Sequence, residues 1–258
     1  MWEQLFLLTP GVLLMIFRVA GMIFSLSFMG KDAESRWPRM VLSVSLGVIL
    51  FFVDPVPVGL PPSFIMLAVM AVREVLVGLL VGICLSTAFH AVRMAGEFIG
   101  REMGLSLARL MDPAIGSGGV VMSSLFEMLA VLLFFHLDGH RLLFVLLARF
   151  NRVLPLGGGF DPAAAYEGMV WFGSWMMESS IIVAAPVFTI MLVLTMTMMI
   201  LGRAVPQLPI MQFGFGIRIC VGMYASILFV GRSMPRFKQM FDDVGMRLWQ
   251  MAGELSPL

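Results

Sequence analysis

The chain has 258 residues, 60% hydrophobic and 13% charged, with a net charge of +1. A soluble domain carries about 25% charged residues, so this composition and a mean hydropathy of +0.97 exclude an ordinary water-soluble protein. The near-neutral charge gives no reason to expect nucleic acid as a partner.

The length allows about six membrane-spanning helices of about 20 residues each. The first apolar run, 5–29, lacks a basic leader and holds Arg18, so it reads as a retained helix rather than a signal peptide. A charged turn, "GKDAESRWPR", separates it from the run at 40–53. "DPVPVGLPPS" follows; four prolines in ten residues cannot be helix. The third run is 64–92 and the fourth 120–135. A shorter apolar piece at 141–148 suggests a re-entrant or buried segment. "NRVLPLGGGFDP" breaks the chain again before the runs at 168–201 and 208–231, which only "GRAVPQ" separates. That spacing predicts a tight helical hairpin.

Loop charges do not assign an orientation. With six spans, the two sets of alternate loops hold equal numbers of lysines and arginines, so the bias that normally favours the cytoplasmic side cancels. Arg18, Arg73, Glu74, Glu127, Glu178 and Arg218 lie inside apolar runs. A charge at the bilayer centre costs about 2.5–3.5 kcal/mol, so these side chains are expected to face protein or water. They read as ion pairs that fix assembly. A proton relay in a stand-alone proton-coupled transporter is the alternative. Arg73 and Glu74 are neighbours and are expected to point apart.

Chemical motifs are few. His136, Asp138 and His140 in "HLDGH" are metal-ligand types, but Gly139 interrupts the helical face and no fourth ligand is near; a polar turn is expected. His90 reads as a buried, hydrogen-bonded histidine. Cys84 and Cys220 both sit in apolar runs and read as small buried hydrophobes. No nucleophile elbow, phosphate loop or metalloprotease motif occurs, so neither an enzyme nor a cofactor is expected. The 25 methionines cluster at 189–199 and recur around 106–124.

The segment "SLARLMDPAIGSGGVVMSS", 106–124, stands between two apolar runs yet carries three glycines, a proline and four serines. Met111, Ile115, Val120, Val121 and Met122 keep the segment half apolar. Gly116, Gly118 and Gly119 could act as hinges, and Asp112–Pro113 suits a helix end or turn. Just upstream, Gly96, Gly100 and Gly104 are spaced by four and would line one helix face for close packing.

"FHAVRMAGEFIGREMGLSLARLMDPAIG", 89–116, resembles the signature region of the FliR/SctT family of type III secretion export-gate subunits. "DGHRLLFVLLARFNRVLPLGG", 138–158, and "GRAVPQLPIMQFGFGIRICVGM", 202–223, are similar to two further blocks of that family. The chain departs at Pro209, where Asn is usual, at Gly216, where proline is usual, and at Arg218. Glu97, Gly100 and Met103–Gly104 resemble the flagellar branch more than the injectisome branch.

The resemblance implies an all-α, membrane-embedded export-gate subunit spanning 1–258. Residues 1–163 would form a FliP-like part with a channel plug at about 106–122, in which Met111, Ile115, Val120, Val121 and Met122 would seal the closed pore, because apolar walls resist wetting. Residues 164–258 would form a FliQ-like helical hairpin and C-terminal tail, with Arg203, Pro206 and Gln207 at the tip. It implies FliP-like and FliQ-like subunits as partners, FlhB-like and FlhA-like export components nearby, unfolded proteins as substrates, and a place in the bacterial inner membrane within the flagellar basal body.

Overall fold

The computed structural model describes residues 2–26, 36–53, 63–105, 118–158, 161–204 and 210–255. They form helices α1 (Trp2–Ser25), α2 (Arg36–Val53), α3 (Phe64–Glu102), α4 (Gly118–His136), α5 (Gly139–Val153), α6 (Pro162–Ala204) and α7 (Ile210–Leu255). No strand occurs among the described residues. The membrane-helical class expected from composition is the class observed.

Among the described residues four helices, α2, α3, α6 and α7, are long and apolar enough to cross a bilayer, or up to five if α4 and α5 together make one broken span, where about six were expected. At 1.5 Å per residue the 24 residues of α1 run for about 36 Å, against a hydrocarbon core of about 30 Å. The 39, 43 and 46 residues of α3, α6 and α7 run for about 58, 65 and 69 Å. Each is close to twice the hydrocarbon thickness or more, so much of each helix must lie against protein or water.

Two of these helices outrun their apolar stretches for a visible reason. Beyond residue 92, α3 continues through Arg93, Glu97 and Arg101, and its polar turns are held by a Glu97–Arg101 pair of 2.6 Å at i,i+4. Beyond residue 231, α7 becomes amphipathic. Phe237, Met240, Val244, Leu248, Met251 and Leu255 are buried at steps of three and four, while Arg232, Arg236, Lys238, Asp242 and Asp243 are exposed.

The chain forms two compact units, each built from separate stretches. The first comprises Met1–Ala88, Asp138–Gly173 and Phe241–Leu258. Here α2 lays a narrow stripe, Arg39, Ser43, Gly47 and Leu50, against α1; a Cβ on Gly47 would stand 2.8 Å from the Ile16 Cα. α1 and α3 touch backbone to backbone. Gly78 faces the Arg18 carbonyl, Gly82 the Met22 carbonyl, and Gly21 the Val75 carbonyl. Any side chain at these three positions would collide with main chain, so glycine is what lets the helices meet. The tail of α7 packs on the start of α6, where Met251 fills the space beside Gly168 and Arg247 lies 5.3 Å from the Trp171 ring centroid.

The second unit comprises Phe89–Leu137 and Ser174–Met240. Ala91, Ala95, Ile99 and Met103 of α3 are fully buried. Phe89 meets Phe134 of α4 edge to face at 5.3 Å, and Met103 packs against Gly222 of α7.

The hydroxyls of the apolar helices turn inward on their own backbone. Ser180 bonds the Met177 carbonyl, and Thr189, Thr195 and Thr197 bond the carbonyls four residues back, all within 2.7–2.9 Å.

Candidate functional site: a buried polar lock and the signature helix

α1, α3, α5 and the turn after α5 converge on one charge pair in the first unit. Arg18 and Glu74 are each 2% exposed, and the guanidinium Nε lies 2.6 Å from Glu74 Oε2. The same guanidinium donates through Nη1 to Asn151 Oδ1 at 2.9 Å and to the Leu154 carbonyl at 2.8 Å. The second carboxylate oxygen, Oε1, accepts from the Gly157 N–H at 2.9 Å. Asn151 in turn donates to the Met15 sulfur at 3.4 Å. Removing two charges from water costs several kcal/mol each. Each donor and acceptor named here has a fixed partner, so the pair serves to define one register among three helices.

Arg73 and Glu74 do not point away from each other as expected. Neighbouring helical residues differ by about 100°, and both reach the same turn. Arg73 donates to the Gly157 carbonyl at 3.4 Å while Glu74 holds its N–H. Gly157 has φ +71 and its missing Cβ leaves room for Met70, so glycine is required twice over. The turn "LPLGG" is therefore gripped from α3 on both sides, with Leu154 and Leu156 buried beneath it.

In the second unit, α3 carries the signature residues against α4. A Cβ on Gly96 would lie 2.8 Å from the Met122 carbonyl and 2.9 Å from the Phe126 Cβ, so the helices are at closest approach there. Arg93 reaches Glu127 at 3.2 Å, a half-exposed bridge between the same two helices. Gly100 is buried and Glu97 half-buried. Gly104 departs from the expected packing face. Its φ is +79, its N–H bonds the Arg101 carbonyl at 2.9 Å, and it ends α3 in the left-handed conformation that glycine adopts without strain.

The proposed plug is divided by the structure. Met111, Asp112, Pro113, Ile115 and Gly116 lie outside the described residues, as do Pro206 and Gln207 of the hairpin tip. Gly118, Gly119, Val120, Val121 and Met122 are not loop: they form the first turns of α4. Val121 is exposed and Met122 is 3% exposed, its carbonyl facing Gly96. Arg203 is exposed in the last turn of α6, Glu178 is exposed on the same helix, and Arg218 is half-buried on α7.

His136 ends α4, Asp138 adopts φ 55 at the break, and His140 lies in the first turn of α5. Among the described residues, no three His, Cys, Asp or Glu side chains are grouped to hold a metal ion. His90 is half-buried. Cys84 is buried but Cys220 is exposed, against the expectation that both are core. The Gly78–Gly82 pair was carried by a signal in the sequence, a Gly-x-x-x-Gly spacing; Asn151, flanked by Arg149 and Arg152, stands out only as the chain's single asparagine.

Residues 9–244 match the family described as bacterial export proteins, family 1. The chain belongs to that family, the FliR/SctT family. It is 30% identical over 241 residues to the flagellar biosynthetic protein FliR of Escherichia coli K12, covering 93% of this chain and 92% of that one. Over 218 residues it is 30% identical to FliR of Pectobacterium carotovorum, covering 83% and 84%. The surface presentation of antigens protein SpaR of Salmonella typhimurium is 22% identical over 237 residues, covering 90% and 88%. The Arg18–Glu74 lock and the α3–α4 contact both lie within the matched residues. This family member is a type III export component embedded in the membrane.

Proposed function

We propose that the chain is a core subunit of the flagellar type III protein export gate. It assembles with FliP-like and FliQ-like chains into the channel for unfolded flagellar subunits, beside FlhB-like and FlhA-like components, in the bacterial inner membrane. The observation that carries this reading is the 30% identity to a flagellar biosynthetic protein along nearly the whole of both chains. The lower identity to SpaR favours the flagellar system over an injectisome. The exposed apolar surface fits an assembling subunit: Phe64, Ile65, Val69 and Val72 of α3 and Val193, Met196 and Ile200 of α6 are each more than half exposed, far more than a finished soluble surface tolerates.

In this reading, residues 1–163 are the FliP-like part and 164–258 the FliQ-like hairpin and tail. The segment holding Met111, Asp112, Pro113, Ile115 and Gly116 plugs the closed channel. The protein carries no catalytic group of its own. Because α4 begins at Gly118, the plug is tested by deleting 114–117 rather than a longer stretch. The deletion is expected to leave a co-purified gate of unchanged native mass and to raise ion conductance across the membrane. Unchanged conductance in an intact gate counts against the plug. A stable, monodisperse particle of this chain alone, unaffected by co-expression of FliP-like and FliQ-like chains, counts against the gate.

A further inference from the structure

α7 changes chemistry along its exposed half. Tyr224, Leu228, Arg232 and Arg236 follow each other at intervals of four, each about 40° round the helix from the last, so they cross the exposed half of α7. Tyr224 is 66% and Leu228 51% exposed, and Ile227 beside them is 68% exposed. Arg232 and Arg236 are exposed as well. Lys238 lies three turns beyond Ile227 and is exposed at that edge, about 160° round the helix from Arg236 at the other edge. The opposite half, with Ser226, Phe237 and Met240, is buried. The exposed half of the helix thus passes along its length from bare apolar surface to a band of three cations with no intervening acid.

These cations are not spent on the protein. Among the described residues no carboxylate lies within ion-pair distance of Arg232, Arg236 or Lys238. Arg236 makes only a 3.3 Å contact with the neutral Gln239. Asp242 and Asp243, one turn past Lys238, mark where the basic stretch stops. Arg232 and Arg236 stand about 6 and 12 Å along the axis from Leu228. The polar layer of one leaflet is about 5–8 Å thick, and the long side chains bend toward it.

We propose that Arg232, Arg236 and Lys238 form a binding surface for the phosphate headgroups of anionic membrane lipids. The apolar surface ending at Leu228 seats the acyl chains, and the cations hold the headgroups directly above them. Charge complementarity and continuity with the exposed apolar face select lipid as the occupant. The proposal holds whichever export system the chain serves.

The test places the full gate complex in nanodiscs of equal phosphatidylglycerol and phosphatidylcholine and counts retained lipids by native mass spectrometry. The parent is expected to retain phosphatidylglycerol preferentially. Each cation near a charged surface is worth about fivefold, so R232Q/R236Q/K238Q is expected to lose about a hundredfold of that preference. R232K/R236K/K238R is expected to keep it. Should the glutamine triple fail to fold, the parent itself decides: its preference must fall between low and high salt. Equal retention by the parent and the glutamine triple overturns the proposal, as does a salt-independent parent preference. Loss of a co-purifying subunit from the glutamine triple, with lipid retention unchanged, would assign the surface to a protein and also overturn it.

Discussion

Glu74→Gln tests whether the Arg18 network is as tightly determined as its geometry implies. The carboxylate accepts twice, from Arg18 Nε at 2.6 Å and from the Gly157 N–H at 2.9 Å. A glutamine offers one acceptor oxygen and a donating NH2, so one of those two N–H groups must face another donor. The guanidinium also stays buried without a counter-charge. Breaking a buried pair on one side costs about 3–5 kcal/mol. At about 2–4 °C per kcal/mol for a chain of this order, the melting temperature in detergent should drop by about 6–20 °C. The double variant R18M/E74L supplies the sharper result. Replacing a whole buried pair by apolar groups is often neutral. Here it would strand Asn151 Oδ1, the Leu154 carbonyl and the Gly157 N–H, at about 1–3 kcal/mol for each buried orphan. No rescue is therefore expected. Differential scanning fluorimetry of the purified chain measures both. Glu74→Gln within about 2 °C of the parent, or a double variant restored to the parent value, would refute the reasoning.

Gly96→Ala should separate α3 from α4, because its Cβ would stand 2.8 Å from the Met122 carbonyl, whereas Gly173→Ala meets nothing within 4 Å; it should gain the roughly 0.5–1 kcal/mol expected for Ala in a helix. Thermal melts of the pair check both signs. Gly104→Ala places a Cβ at φ +79 and should cost about 1–2 kcal/mol, again read as a lowered melting temperature. A membrane-permeant maleimide should modify Cys220 and spare Cys84 in the folded chain, with a second adduct appearing in denaturing detergent; intact mass counts them.

Much of the fold is legible in the residues, and the rest is lost for physical reasons. Apolar runs mark where a helix can meet lipid. They do not mark where a helix stops, since backbone hydrogen bonding continues through polar turns that pair their charges. Glu97–Arg101 on α3 and the amphipathic end of α7 are cases of this kind. Six charges stand out at once against an apolar background, but their partners lie far along the chain: 56 residues separate Arg18 from Glu74, and 133 separate it from Asn151. Register between helices is set by three-dimensional packing, which no local pattern encodes. Gly104 illustrates the limit at one residue. Spacing by four places it with Gly96 and Gly100, and only its backbone angle distinguishes a helix stop from a helix contact.

The inward-turned hydroxyls of α6 have a consequence for how a gate could be put together. Ser180, Thr189, Thr195 and Thr197 spend their donors on their own helix. The helix is thus more oil-like in presentation than in composition. Ser180 is fully buried, but Thr189, Thr195 and Thr197 reach the surface, and whether lipid or protein covers them their donors stay on their own helix. Shape then counts for more than polar pairing in what can pack there.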